Sequence, residues 1–203
     1  MNAHLRRLMG ASAVLTPEES RVVLLTGQSS FTSSALSLAQ LAFLESVAPE
    51  GCPAVDRGFP FDPAFDGPGF ADTGVVAASW RNARQVCWSL CSRNFQDAVA
   101  RRLQMVIDAT RRRLVIITGS CGLQLANTAW PRLRMPPNLR VDVIALGPAC
   151  FGTPRLRAYV VQGRWDAWSR LFYGNRVDHV CNCSHLDYWE SQEVRVLVRG
   201  LLR

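Results

Sequence analysis

Short, continuous apolar runs recur along this chain, and stretches of helical period lie between them. Residues 22–26 (VVLLT), 75–79 (VVAAS), 114–118 (LVIIT), 141–146, 158–162 and 177–181 each predict a strand. A strand covered on both faces needs no polar alternation, so it reads as an unbroken apolar run. Helices are predicted over residues 33–47, 81–91, 95–110, 121–129 and 188–201. In the strongest of these, Phe95, Ala98, Val99, Leu103, Val106 and Ile107 fall on one stripe. Residues 51–74 (with GFPFDPAFDGPGF) hold too many Pro and Gly for a regular element and predict a long ordered loop. Residues 1–20 predict a loosely ordered arm with at most a short helix. The alternation of strand and helix predicts a single α/β domain over residues 21–203, with a mostly parallel sheet of about six strands and helices on both faces.

Composition narrows the chemistry more than the fold. Hydrophobic residues make up 48% of the 203, which excludes an intrinsically disordered chain. No apolar run reaches the ~20 residues needed to cross a bilayer, so no membrane span is expected. All 23 basic residues are Arg; without Lys there is no Schiff-base, P-loop or Ser-Lys chemistry. The net charge of +7 suits an acidic partner. However, no aromatics interleave with Arg111, Arg112 and Arg113 as a single-strand stacking groove would need, which argues against nucleic acid. Seven cysteines are an odd number, and residues 1–20 lack a secretory apolar core, so reduced thiols in a cytoplasmic protein are the expectation. Cys181, Cys183, His179 and His185 do not have a zinc-like spacing and no second ligand pair completes them; neither metal nor cofactor is expected.

Candidate chemistry concentrates where the third apolar strand turns into a helix, at Thr118-Gly119-Ser120-Cys121-Gly122. A nucleophile on a sharp strand-to-helix turn needs small residues two before and two after it. Centred on Ser120 these are Thr118 and Gly122; centred on the rival Cys121 they are Gly119 and Leu123, and Leu is too bulky. An acid and then a His should follow at the ends of later strands. Asp166 comes just after the fifth strand and His185 just after the sixth. His179 lies inside a strand and His4 in the arm. Among the acids, Asp142 is at the wrong strand end, Asp178 is within a strand, and Asp187 is too near His185 to orient it.

Strand-Gly27-Gln28-Ser29, strand-Gly119-Ser120-Cys121-Gly122-helix, strand-Gly163-Arg164-Trp165-Asp166 and Ser184-His185, in that order, resemble the α/β-hydrolase superfamily over about residues 21–202. The resemblance implies a Ser120–His185–Asp166 triad. It also implies an oxyanion hole from the backbone N–H of Cys121 and that of Gln28 or Ser29. The chain departs from the family in three respects. It is short, Thr26-Gly27 stands where many members have His-Gly, and only about a dozen residues separate the fourth and fifth strands, too few for a helical lid. The loop of residues 51–74 is then expected to wall the pocket, with Phe31, Trp80 and Trp88 as candidate lining. The implied activity is hydrolysis of a carboxylic ester or thioester. An acyl group on an acidic acyl carrier protein or its pantetheine arm suits the basic exterior. The alternative is a non-catalytic α/β-hydrolase-like binding scaffold.

Overall fold

A computed structural model of the chain describes residues 3–10, 15–67, 69–70 and 73–203. Its elements are α1 (Ala3–Gly10), β1 (Glu18–Leu25), α2 (Leu38–Val47), β2 (Ala54–Gly58), α3 (Val75–Cys91), α4 (Arg93–Asp108), β3 (Thr110–Gly119), α5 (Gly122–Ala129), β4 (Arg140–Leu146), β5 (Tyr159–Gly163), α6 (Ala167–Phe172), β6 (His179–Cys181) and α7 (Gln192–Leu201). The six strands form one sheet in the order β2-β1-β3-β4-β5-β6, and every pairing is parallel. The apolar runs of β1, β3 and β4 are continuous because both sheet faces are covered. Val23, Leu25, Ile116 and Ala145 face a core shared with Phe95, Leu103 and Ile107 of α4. Their neighbours Val22, Leu24, Ile117 and Ile144 face Phe43 and Leu44 of α2 and Val194 and Val198 of α7. Fully burying each such side chain is worth about 1.5–3 kcal/mol.

Helix starts follow local capping chemistry. Ser37 and Gln40 form a reciprocal capping box on α2, and Ser92, Asp166 and Ser191 accept backbone N–H groups at the starts of α4, α6 and α7. Because every strand pairing is parallel, the strands' C-terminal ends line one edge of the sheet. All the residues singled out for catalysis leave from that edge.

Two expectations are corrected. Residues 75–79 are not a strand but the first turns of α3. The β-branched Val75-Val76 pair is misleading because α3 is inverted in polarity. Its inward face carries Gln85 and Ser89, both buried, while Val76 and Trp80 are exposed. The missing strand is β2, inside the predicted 51–74 loop. It is an edge strand, paired with β1 only, and its exposed Asp56 and half-exposed Arg57 break any apolar run. Nor does the 59–65 stretch of that loop wall a pocket. Phe59, Phe61 and Phe65 are buried in the core beside α4, and the buried Asp62 pairs with Arg102 at 2.6 Å. The arm holds α1, whose His4 and Leu8 are buried; Arg102 Nη2 donates to the Leu8 carbonyl at 2.8 Å.

Candidate active site

The turn that carries Ser120 is built by crowding. Ser120 follows β3 directly and has φ +50, a left-handed conformation that a non-glycine residue adopts only where its surroundings impose it. The Ser120 N–H donates to the Leu146 carbonyl at 3.3 Å, and the Ala149 N–H donates to the Ser120 carbonyl at 2.9 Å, so β4 and its following loop hold the turn from one side. On the other side β1 presses close. A side-chain carbon at Gly122 would collide with the Leu25 carbonyl, and one at Gly119 would meet the Trp189 ring and Thr26. Glycine at both positions is thus a packing requirement.

Ser120, His185 and Asp166 come together from three strand ends. His185 Nε2 is 3.2 Å from Ser120 Oγ, and His185 Nδ1 is 2.9 Å from both carboxylate oxygens of Asp166. Asp166 is fully buried and caps α6 by accepting the Ser169 N–H at 2.8 Å. Burial alone would raise its pKa. The hydrogen bonds from His185, the Ser169 N–H and Tyr188, together with the His185 charge, outweigh that and hold the carboxyl below its ordinary value.

Tyr188 escaped the sequence reading. Its hydroxyl donates to Asp166 Oδ2 at 2.8 Å and accepts the Gly163 N–H at 2.6 Å, tying the acid to the end of β5. Burial beside Asp166 pushes the Tyr188 phenol well up, so it stays a donor. No spacing rule predicts this contact, which crosses from the loop before α7 to β5. Gly147, with φ +51, leaves room for it; a side chain there would run into Asp166 and Tyr188. The His185 loop is shaped by Asp187, which accepts the Ser184 N–H at 2.9 Å and its hydroxyl at 2.5 Å.

The other candidates are placed elsewhere. Asp142 binds Arg113 and Arg140 at the opposite sheet edge, and Asp178 accepts the Val160 N–H. His179 begins β6. The Cys121 thiol is buried against Gly27, and burial pushes it up to about 12. A thiolate, the nucleophilic form, is thereby suppressed. The Cys121 backbone precedes α5, whose leading N–H groups point along the positive end of the helix. Gly27 lies against Cys121, so the loop after β1 reaches the turn. Within it, the Gln28 N–H is already engaged by Gln85 Oε1 at 3.0 Å, and Gln85 Nε2 returns a hydrogen bond to the Gln28 carbonyl at 2.8 Å. The Ser29 N–H has no hydrogen-bond partner among the described residues, while its carbonyl accepts from Arg81 at 2.6 Å. Gln85 is the second residue sequence reading missed; α3 also carries Arg81, Asn82 and Arg84, so nothing in its pattern singled Gln85 out.

Of the proposed lining, Trp80 projects from the outer face of α3. Phe31 stacks on His4 with ring centroids 3.9 Å apart, and Trp88 lies 5.9 Å from the same imidazole. Both belong to an aromatic cluster beneath α1. An open groove of about 330 Å³ lies instead between residues 150–153, which follow the Ser120-bound Ala149, and the end of α6. A larger hollow of about 400 Å³, lined by Arg112, Arg113 and Arg140 among others, opens at the opposite edge of the sheet.

With a parallel six-stranded sheet and a strained serine at the exit of its central strand, the fold is α/β-hydrolase-like. Among solved structures, a carboxylesterase from Mesorhizobium loti matches 96% of this chain and 91% of its own, at 17% identity and a TM-score of 0.45. Neither protein-family models nor curated proteins give a match to the sequence. Among the described residues, no helix is long and apolar enough to cross a membrane.

Proposed function

We propose that the protein is a serine hydrolase of small carboxylic esters. One observation carries the reading: the unbroken chain of hydrogen bonds from Ser120 Oγ through His185 to the buried Asp166. His185 Nε2 takes the Ser120 proton as Oγ attacks the acyl carbon. Asp166 fixes the imidazole tautomer and stabilises the imidazolium. Collapse of the tetrahedral intermediate breaks the bond to the alcohol oxygen, which leaves with the proton from His185. Water, deprotonated by His185, then attacks the acyl-serine and releases the acid and free Ser120. The Cys121 N–H and the Ser29 N–H are the proposed oxyanion donors; losing one such donor costs about 10²–10³ in turnover.

Labelling by a fluorophosphonate probe, together with hydrolysis of p-nitrophenyl acetate, tests the reading. Wild type should react and Ser120→Ala should not. A wild-type protein inert to both would favour a binding scaffold. The finer proposal, an acyl thioester on an acidic carrier protein, rests on the +7 charge and on exposed Arg164 and Arg170 near Asp166. Replacing both by Glu should lower kcat/KM for the carrier-linked substrate by about tenfold and leave the free ester unaffected; equal rates on both would remove the carrier from the reading.

A further inference from the structure

We propose that the outward face of α3 docks on an anionic lipid surface, with the helix lying flat against it. The inference is independent of the hydrolase reading, because it uses none of Ser120, His185 and Asp166. Three observations support it.

The first is the inverted stripe. Val76, Trp80, Ala83, Cys87 and Leu90 are spaced by four, three, four and three residues, so they share one side of α3. All five are exposed, and Val76, Trp80 and Leu90 keep 85%, 68% and 49% of their surface in water. An apolar stripe of helical period ordinarily faces the core; here the core side is taken by the buried Gln85 and Ser89. At 1.5 Å per residue the stripe runs for about 21 Å. Contiguous apolar surface left in water in this way marks a face made to be covered.

The second is rigidity. On the opposite side of the helix, Gln85 exchanges two hydrogen bonds with the Gln28 backbone, and Arg81 donates to the Ser29 carbonyl at 2.6 Å. Gln96 of α4 donates to the Ser89 carbonyl at 2.7 Å. Rolling α3 to bury its apolar side would break all of these bonds, so the stripe is held outward by the fold itself.

The third is charge. Neither α3 nor α1 contains an acidic residue. Arg84, one turn on from Trp80, lies over the Trp88 ring at 4.9 Å on one flank of the stripe. Along that flank α1 packs on Trp88 through His4, and it brings the exposed Arg6 and Arg7. Exposed Arg93 follows the C-terminal end of α3, and the nearby Asp97 of α4 is already paired with Arg132. An indole and aliphatic side chains flanked by guanidinium groups match the boundary between acyl chains and phosphate headgroups. The polar inner side of α3 makes this docking on a bilayer and not across it. A second copy of the chain fits less well, because it would bring the same arginines and a second net charge of +7 face to face.

The experiment is cosedimentation of the full-length protein with phosphatidylcholine vesicles and with vesicles of equal parts phosphatidylcholine and phosphatidylglycerol, at low and high salt. Thermal melts and sedimentation equilibrium accompany every variant. Wild type should bind the anionic vesicles at least about tenfold more tightly than the neutral ones, and high salt should narrow that gap. Trp80→Glu, at an exposed position where folding is not at stake, should weaken anionic binding at least about tenfold. Arg84→Gln combined with Arg93→Gln should weaken it by about 10–30-fold, the effect of two charges near the surface. Equal binding by wild type and Trp80→Glu, or no binding to either vesicle, would overturn the proposal. A wild-type dimer that Trp80→Glu dissociates, with no vesicle binding, would overturn it in favour of a contact between copies of this chain.

Discussion

Asp62 and Asp166 are two carboxylates with nearly the same local environment and opposite uses. Each is buried to within 2% of full enclosure, and each caps a short helical segment, accepting the Ala64 and Ser169 N–H groups respectively. They differ in the cation they face. Asp62 meets the guanidinium of Arg102 at 2.6 Å, a group that stays charged at every accessible pH. Asp166 meets an imidazole, whose charge can come and go, and Tyr188 holds it from behind. A permanent ion pair fixes the 59–65 loop onto α4. A carboxylate held against an imidazole stabilises a charge that appears only when His185 takes a proton. Burial and capping are thus the same in both regions, and the identity of the partner decides between a structural clasp and a candidate catalytic acid.

The sharpest way to break that contrast is to neutralise each acid in turn. Asp166→Asn should lower kcat on p-nitrophenyl acetate by a factor on the order of 10⁴, the scale seen when a triad loses its tautomer-fixing acid. Asp62→Asn should do the reverse. Per folded molecule its activity should match wild type, but stripping a buried partner from Arg102 should cost about 3–5 kcal/mol. That would lower the melting temperature by roughly 6–20 °C. Equal losses of stability and activity in the two variants would erase the distinction.

A smaller effect is expected at Tyr188. Tyr188→Phe removes one hydrogen bond from the carboxylate, so activity should fall about tenfold, in line with ~1.5 kcal/mol for a bond to a charged group. The same change raises the pKa of Asp166. The stabilisation that this depressed carboxyl supplies is present above its unfolded value and lost as pH falls through its folded one. In Tyr188→Phe the acid loss of stability should therefore be smaller in total and complete at higher pH, as thermal melts across the acid range would show. At Gln85, Gln85→Ala should free the Gln28 peptide and reduce kcat by less than about tenfold, with KM little changed. An effect on KM alone would place Gln85 outside the oxyanion loop's support.

At His4 the expected effect is on stability alone, with activity per folded molecule unchanged. Burial, then the nearby Arg84 and Arg7, lower its pKa from 6.5 to about 4. Its folded form is neutral where the unfolded chain is already protonated. The stability it confers is complete above pH 6.5 and is lost as pH falls from there through about 4. His4→Phe should flatten the decline in denaturation midpoint between pH 7 and 5; an unchanged slope would assign the acid sensitivity to other groups.

Legibility in the sequence followed how local each determinant is. The parallel sheet was readable because β1, β3 and β4 are buried on both faces, which writes an unbroken apolar run into the chain. Ser120, Asp166 and His185 were readable because each leaves the end of a strand, so chain order alone brought them to one edge. The edge strand β2 was hidden because half its surface meets water and its residues need not be apolar. Helix α3 was misread because it turns polar Gln85 inward to hold Gln28 and leaves Val76 and Trp80 outside, the reverse of the usual stripe. The placements of Phe31 and Trp88 followed from α1, whose docking no local pattern reports.

By itself, then, the sequence determined the layered α/β architecture and the three residues that a strand-end geometry can gather. These follow from periodicity and from side chains' distances along the chain. Only the tertiary structure decided that Tyr188 backs Asp166, that Gln85 occupies the Gln28 N–H, that Asp62 is spent on Arg102, and that Phe59, Phe61 and Phe65 of the 51–74 loop fill the core. Each of those is a contact between segments far apart in sequence. Its existence depends on how the two faces of the sheet are filled, and no residue carries that information in its own neighbourhood.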